Sequence, residues 1–168
     1  MRLPGRVLRL VVASMVVAWA ASAAWAVTAR RRFVPRGTPE SDEIAIGAYY
    51  DELQFESRAG SFRGGTIECG FGGGVVDLSG ATLDPSGARL RVTAVFGGGQ
   101  ILVPPSWRVE IHGRALFGGI ADARPVAQRP AVGPALVIDA VLFFGGFALQ
   151  AAGRHGEPAV PQGEPVPA

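Results

Sequence analysis

Few residues in this chain have the chemistry of a catalytic or metal site, and they are scattered. They are the single cysteine, Cys69, the two histidines, His112 and His155, and the side chains that could serve a polysaccharide-cleaving enzyme, Asp77, Asp122 and Arg91. A metal site needs several ligands at short spacings, and the acids need a spacing that pairs them for acid–base catalysis. We find neither, so we predict no catalytic, cofactor-binding or metal-ligating residue and a protein that is not an enzyme. A polysaccharide-cleaving enzyme is the weaker alternative.

Four phenylalanines are each followed by two or three glycines, which raises the question of a phosphate-binding loop. Backbone amides of a Gly-rich loop hold a phosphate when a helix or a Gly-Lys-Ser/Thr motif follows, and no copy is followed by either pattern. Glycine also suits sharp turns, because it reaches positive φ without a Cβ penalty. The glycines therefore predict corners between strands, with the aromatic rings stacked beside them.

The Phe-Gly-Gly segments belong to an internal repeat. They occur at residues 71–73, 96–98, 117–119 and 144–146, and Tyr50 takes the same place in a degenerate copy. When the copies are aligned on the aromatic residue, the second, fourth and sixth positions before it are apolar or Gly, and most positions between them are polar. This alternation predicts strands with one buried face. We call each aligned position a column. Cys69 lies in the same inward column as Ala48, Ala94 and Ala115, so we expect it to pack as a small apolar side chain.

A repeat unit of 21 to 27 residues cannot bury its apolar face alone, but parallel stacking of successive units closes a continuous core. The predicted fold class is all-β, with a short single-stranded β-solenoid (β-helix) of about five rungs over residues 44–152, stacked in chain order. A sandwich of short antiparallel strands is the structural alternative, although no Asn-Gly or Asp-Gly hairpin turn supports it. Chain order places the last copy at the open end of the solenoid. We therefore expect its apolar residues to be exposed there and available for association: Leu142, Phe143, Phe144 and Phe147.

Residues 1–32 predict an N-terminal membrane anchor. Residues 10–27 are eighteen uncharged, mostly apolar residues with arginines on both sides, a length that spans a bilayer as one transmembrane helix. A signal peptide cleaved after Ala26 is the alternative, and the basic cluster at residues 30–32 argues against it. Three arginines precede the apolar run and four follow it, which slightly favours a cytoplasmic C-terminal domain. With one such run, we expect a single-pass protein of the cell membrane.

The remaining segments complete the predicted domain organisation. Residues 33–43 are predicted as a linker, residues 124–134 as a protruding Pro-rich loop, and residues 153–168 as a disordered Pro-rich tail. Residues 132–152 are apolar enough for a second membrane span. Asp139 lies in the middle of that segment and the repeat columns continue through it, so we predict a last rung instead.

The overall charge of +2 does not indicate a nucleic-acid partner. Seven of the sixteen arginines lie in the first 36 residues, whereas all fourteen acids follow Gly37, so the region that should fold is acidic. An acidic fold without a basic stripe binds nucleic acid poorly. We predict no nucleic-acid binding.

Several segments together resemble a known family. They are FRGG at residues 62–65, FGGGVVDLS at 71–79, VFGG at 95–98, ILVPPSWRV at 101–109 and FGG at 117–119. Over residues 62–122 their order and spacing resemble the C-terminal domain of LiaF-type, cell-wall-active antibiotic response proteins. The resemblance implies a β-helical, non-enzymatic domain attached to a bacterial membrane and linked to envelope-stress signalling through a sensor kinase. This chain has one candidate N-terminal span where the family usually has several.

The expected function is therefore a non-enzymatic, membrane-tethered interaction domain that modulates bacterial cell-envelope stress signalling. Its expected partners are the lipid bilayer and a sensor kinase or other membrane protein, with self-association as a further option. The alternative is a structural scaffold resembling bactofilins, which polymerise end to end through β-helical rungs.

Overall fold

The computed structural model describes residues 35–152 and, before them, residues 9, 12–14, 16, 17 and 28, which are helical. Among the described residues no helix is both long enough and apolar enough to cross a membrane. Most of the predicted span at residues 10–27 lies outside the described residues, and so does the predicted tail at 153–168.

Residues 43–151 form seven strands and one short 3-10 helix. The strands are β1 (Glu43–Tyr49), β2 (Glu52–Glu56), β3 (Gly64–Gly70), β4 (Gly72–Asp77), β5 (Ala88–Val103), β6 (Arg108–Asp122) and β7 (Ala135–Ala151), and the 3-10 helix is Val126–Gln128. The strands belong to one sheet, and every pair of named strands is parallel. The all-β class is confirmed, and the antiparallel alternative is wrong. Residues 135–151 form a strand, so the alternative of a second membrane span there is also wrong.

The long strands β5, β6 and β7 each have two arms. The N arm precedes the Phe-Gly-Gly segment and the C arm follows it, and a glycine with positive φ separates them: Gly97, Gly118 and Gly145. β1 and β3 extend the sheet of N arms, and β2 and β4 extend that of the C arms. The first two copies turn at Tyr50 and Phe71, which adopt φ of 56° and 57° without being glycine. The predicted corners are therefore present at the aromatic residue or directly after it.

The pairing register confirms the alignment made from the sequence. Ile46 pairs with Ile67, Ile67 with Val92, and Val92 with Ala140. These residues lie in the core, and so does Cys69, which is 3% exposed. Because side chains alternate between the two faces of a strand, each apolar column of the repeat becomes one continuous ridge of the core.

The prediction that the copies stack in chain order is wrong at its last step. β7 lies between β5 and β6, so β6 occupies the end of the sheet. Leu142 and Phe147 of β7, which we expected at an open end, are 2% and 4% exposed. The physical reason is the composition of the two strands, since the apolar side chains of an inner strand are covered by a neighbouring strand on each side. β7 places Ala140 and Leu142 in the columns where β6 has Gly113 and Ala115, and so buries more apolar surface in the inner position.

The segment after β6 departs in part from the predicted protruding loop. Val126 and Val132 are strongly exposed, as expected, but Arg124 is only 1% exposed. The loop therefore begins by folding back over the end of the core before it reaches solvent.

Candidate functional site

Five aromatic rings form an exposed stack along the corner between the two arms. In spatial order they are Tyr50, Phe71, Phe96, Phe144 and Phe117, and neighbouring ring centroids are 4.7 to 4.9 Å apart. Parallel strands in register place equivalent residues one strand spacing apart, about 4.8 Å, which is also a favourable distance for offset stacking. We call this stack the aromatic ladder. The ladder confirms the predicted stacking and follows the observed strand order rather than chain order.

Apolar side chains beside the ladder widen the exposed surface on β6 and β7. The exposed members on these two strands are Leu116 at 66%, Phe117 at 58%, Phe143 at 47%, Val141 at 43% and Phe144 at 40%. We call these five residues the apolar patch. Soluble proteins rarely leave large adjoining apolar side chains in water unless another surface covers them. The patch is therefore a candidate interaction surface.

The N arm of β6 is also an open sheet edge. Residues 112–118 are all exposed, and among residues 35–152 the strand pairs only with β7. A recess of about 370 Å³ opens into the core here, lined by Ile111, Gly113, Ala115, Ile120 and Leu142 among others. Unpaired backbone groups beside an apolar recess form a template on which a further strand can pair.

The C arm of the same end is covered by an ion-paired cap. Arg124 donates two hydrogen bonds to the Asp122 carboxylate, at 2.9 and 2.8 Å, and one of 2.8 Å to the carbonyl oxygen of Trp107. Arg129 adds hydrogen bonds to the carbonyl oxygens of Asp122 and Arg124. Burial alone raises the pKa of the Asp122 carboxyl, but its hydrogen bonds and charge interactions with Arg124, and the charge of Arg129, hold the pKa below its usual value.

Sequence analysis did not find this cap, although a signal was present. The C-arm column that contains Phe55, Val76, Ile101 and Leu149 has Asp122 as its member in β6. An acid in an otherwise apolar column marks the strand where the stack ends, because a carboxylate is costly to bury between two strands. Extending the alignment past the aromatic residue reveals that signal.

The side chains weighed for catalysis are not brought together. Asp77 on β4 and Asp122 on β6 are separated by β5 and β7 and lie in different columns, and Arg91 is on the N arm of β5. Cys69 is buried, and burial raises the pKa of its thiol to about 11, so the reactive thiolate is disfavoured.

His112 shares its outward column with Arg91 and Asp139, as the alignment predicted. Its Nδ1 lies 3.5 Å from Oδ1 of Asp139, and Nη1 of Arg89 lies 3.4 Å from Oδ2 of that carboxylate. Within the part of the chain that the structure describes, no three His, Cys, Asp or Glu side chains gather where they could hold a metal ion. The cluster of Arg89, Asp139 and His112 lies on the surface next to the open edge.

Comparisons with known proteins add little to this geometry. No protein-family model matches the chain, and no curated protein matches it. One solved structure, described as a "putative cell adhesion protein" from Clostridium sporogenes, matches with 12% sequence identity and a TM-score of 0.37. The match covers 55% of this chain and about half, 53%, of that one. A TM-score this low establishes neither a shared fold nor a shared function.

Proposed function

We propose that this chain is a non-enzymatic interaction domain, tethered to a bacterial membrane through residues 10–27, that modulates cell-envelope stress signalling. The observation that carries the interaction role is the apolar patch, whose five members are 40% to 66% exposed. Removing such side chains from water favours association by about 25 cal/mol for each Å², before the entropy lost on binding is subtracted. The partner class, a sensor kinase or other membrane protein, is supported by the resemblance of residues 62–122 to LiaF-type proteins.

We further propose that the two-armed sheet forms a short β-solenoid of about five rungs. Its support is the in-register parallel pairing of equivalent residues in all five copies, such as Ala48 with Cys69 and Cys69 with Ala94. Among the first three copies, each arm pairs with the equivalent arm of the neighbouring copy, as expected when successive turns of a coil stack. The fifth copy lies between the third and the fourth.

A reporter experiment tests the signalling role. Cells that lack the gene receive the full chain or a Leu116→Ser/Phe143→Ser variant, and an envelope-stress reporter is followed after treatment with a cell-wall-active antibiotic. Both side chains are exposed, so the double variant should fold. We expect deletion to change the reporter response and the double variant to behave like the deletion.

The matched control replaces equally exposed apolar residues that lie away from the patch. Val126 and Val132, in the loop between β6 and β7, are 79% and 87% exposed, and Val126→Ser/Val132→Ser should respond like the parent. An unchanged reporter in the deletion strain contradicts the signalling role. A response lost equally in both double variants contradicts the role of the patch.

The open N arm of β6 supplies one of the two free edges that the second candidate, a scaffold that polymerises end to end, would need. Electron microscopy of the full chain in detergent distinguishes the two functions. Long filaments favour the scaffold, whereas particles of limited size favour the interaction domain.

A further inference from the structure

The two ends of the sheet differ in how their N arms are covered. At the β1 end, the Arg36 amide donates to the carbonyl oxygen of Ala45 at 2.9 Å, and the Ala45 amide donates to that of Arg36 at 2.7 Å. The same segment continues across the end of the sheet, where the carbonyl oxygen of Pro39 accepts from the Arg58 amide at 2.6 Å. The N arm of β6 has no such cover among residues 35–152. Among the described residues, the N arm of β6 is therefore free to pair with another strand, whereas β1 is bridged at Ala45.

The C-terminal tail is a poor occupant for this edge. Residues 153–168 contain four prolines, at positions 158, 161, 165 and 167. Proline lacks the amide hydrogen that a strand ladder needs and is confined to strand edges and ends. No stretch after Pro158 is therefore long enough to pair with the arm.

The charges of the N arm are complementary to a second copy of the same arm. Glu110 is the single acid of residues 108–118, and Arg108, His112 and Arg114 are the basic side chains. If two β6 strands pair antiparallel with their two-fold axis at His112, Glu110 of each copy lies opposite Arg114 of the other. The second oxygen of the Glu110 carboxylate can accept this bond while the first stays paired with Arg108 of its own strand.

Neighbouring registers are worse because they lose the pairing of Glu110 with Arg114. Moving the axis to Ile111 places Arg108 opposite Arg114, and moving it to Gly113 places Glu110 opposite Leu116. If the two-fold axis passes between two residues, each inward side chain lies opposite an outward one. The apolar face of one copy then no longer continues into that of the other. The register centred on His112 also sets Val109 opposite Ala115 and Ile111 opposite Gly113, so the apolar columns of the two copies continue into one another.

We propose that the full chain forms a closed dimer, in which the N arms of β6 from two copies pair antiparallel about a two-fold axis at His112. The second copy supplies the missing partners of the backbone edge and covers the recess beside it. A two-fold contact uses the same edge of both copies, so it is isologous and growth through it stops at two copies. This inference goes beyond the proposed signalling function and does not depend on it.

Cysteine cross-linking of the full chain in detergent tests the register. In a Cys69→Ala background, His112→Cys should give a covalent dimer under mild oxidation, because residues at the axis face each other within disulfide reach. Arg91→Cys is the matched control, since Arg91 lies in the same outward column but two strands inside the sheet. No covalent dimer at position 112, or equal yields at both positions, would overturn the proposal.

Charge reversal tests the pairing without a covalent bond. Glu110→Arg alone and Arg114→Glu alone each replace two attractive cross-strand pairs with two repulsive ones, and each should raise the dimer Kd about tenfold or more. The double variant restores opposite charges and should return close to the parent Kd, which also shows that the single variants fold. Sedimentation velocity of the full chain measures all four proteins.

Three results contradict the closed dimer. The first is a double variant that is no tighter than the single variants. The second is assembly beyond two copies. The third is stronger cross-linking at position 112 after deletion of residues 153–168, which would identify the tail as the occupant of the edge.

Discussion

β5 and β6 contain copies of the same repeat but have different surroundings. Val92 and Ala94 of β5 are fully buried, whereas Gly113 and Ala115, their column equivalents in β6, are exposed. β5 has paired strands on both sides, whereas β6 has one neighbour within residues 35–152. The repeat therefore specifies a strand and its faces, while the number of neighbours decides how much each residue contributes to stability. Substitutions of equivalent residues in an inner strand and an end strand separate the effect of the repeat from the effect of the number of neighbours.

The largest difference should appear between Gly98 and Gly119. A Cβ at position 98 would collide with the backbone carbonyl of Gly146, whereas one at position 119 would meet no atom within 4 Å. We expect Gly98→Ala to lower the free energy of unfolding by about 4 kcal/mol or more, because backbone atoms must shift. Gly119→Ala should change it by less than about 0.5 kcal/mol. Chemical denaturation followed by circular dichroism gives both values, and equal losses would refute the difference between inner and end strands.

A second contrast uses two isoleucines that face each other across β7 and β6. Ile138 is fully buried, and its register partner Ile111 is half-buried. Ile138→Ala should cost about 3 kcal/mol, since it removes buried methyl groups and leaves a cavity. At concentrations where the chain is monomeric, Ile111→Ala should cost about 1 kcal/mol, because the recess beside it is open to solvent. A larger loss at Ile111 in denaturation curves would mean that the β6 end is covered in solution.

The ion-paired cap gives a third contrast at the end of the C arm. Arg124→Met leaves the Asp122 carboxylate and the Trp107 carbonyl without their buried donor, and we expect a loss of about 2 to 3 kcal/mol. Arg129→Met is the control, because the side chain of Arg129 is 41% exposed, and it should cost less than about 1 kcal/mol. Comparable thermal denaturation midpoints for the two variants would show that the cap contributes little.

Acid should weaken the same cap. The pKa of Asp122 is lower in the folded protein than its usual value of about 3.9. Its contribution is therefore complete above roughly pH 4 and is lost as the pH falls further, when the folded protein must take up the proton. Asp84, whose hydrogen bonds from Ser61 and Ser86 lower its pKa to about 2, acts in the same range. Stability measured from pH 5 to pH 2 should fall less steeply in Asp122→Asn than in the parent, and parallel slopes would contradict this.

The smallest contrast lies in the aromatic ladder. Phe144 stacks on Phe96 and Phe117, with centroid distances of 4.7 and 4.8 Å, whereas Phe117 has only Phe144 as a stacking partner among the described residues. Each stack contributes about 0.5 to 1.5 kcal/mol beyond its buried area, so Phe144→Ala should cost about twice as much as Phe117→Ala. If dimer pairing or a partner covers Phe117, the two losses should become similar when that contact forms.

Much of the fold could be predicted because the same pattern of inward and outward residues occurs in five copies of the repeat. The columns before each aromatic residue predicted the register, the burial of Cys69 and the stacking of the rings. The end of the sheet could not be predicted from those columns alone. Gly113 and Ala115 are compatible with an inward column, although they bury less apolar surface than Ala140 and Leu142, and Asp122, beyond the aligned region, is the clearer mark of the end strand. The open edge was therefore assigned to the wrong strand, the Arg124 cap was missed, and Phe147 was placed wrongly.

The sequence by itself determined the strands, their faces and the residues that stack on one another, because period-two alternation and in-register repetition are local properties of the chain. The tertiary structure alone decided that β7 lies between β5 and β6, and so which backbone edge remains free. The reason is that the alternation of inward and outward residues is satisfied whether β6 or β7 lies next to β5. The choice depends on the difference in free energy between burying Leu142, Phe147 and Leu149 on both sides and burying Ala115, Ile120 and Asp122 there. That difference arises only in the folded sheet, where either β6 or β7 could pair with β5.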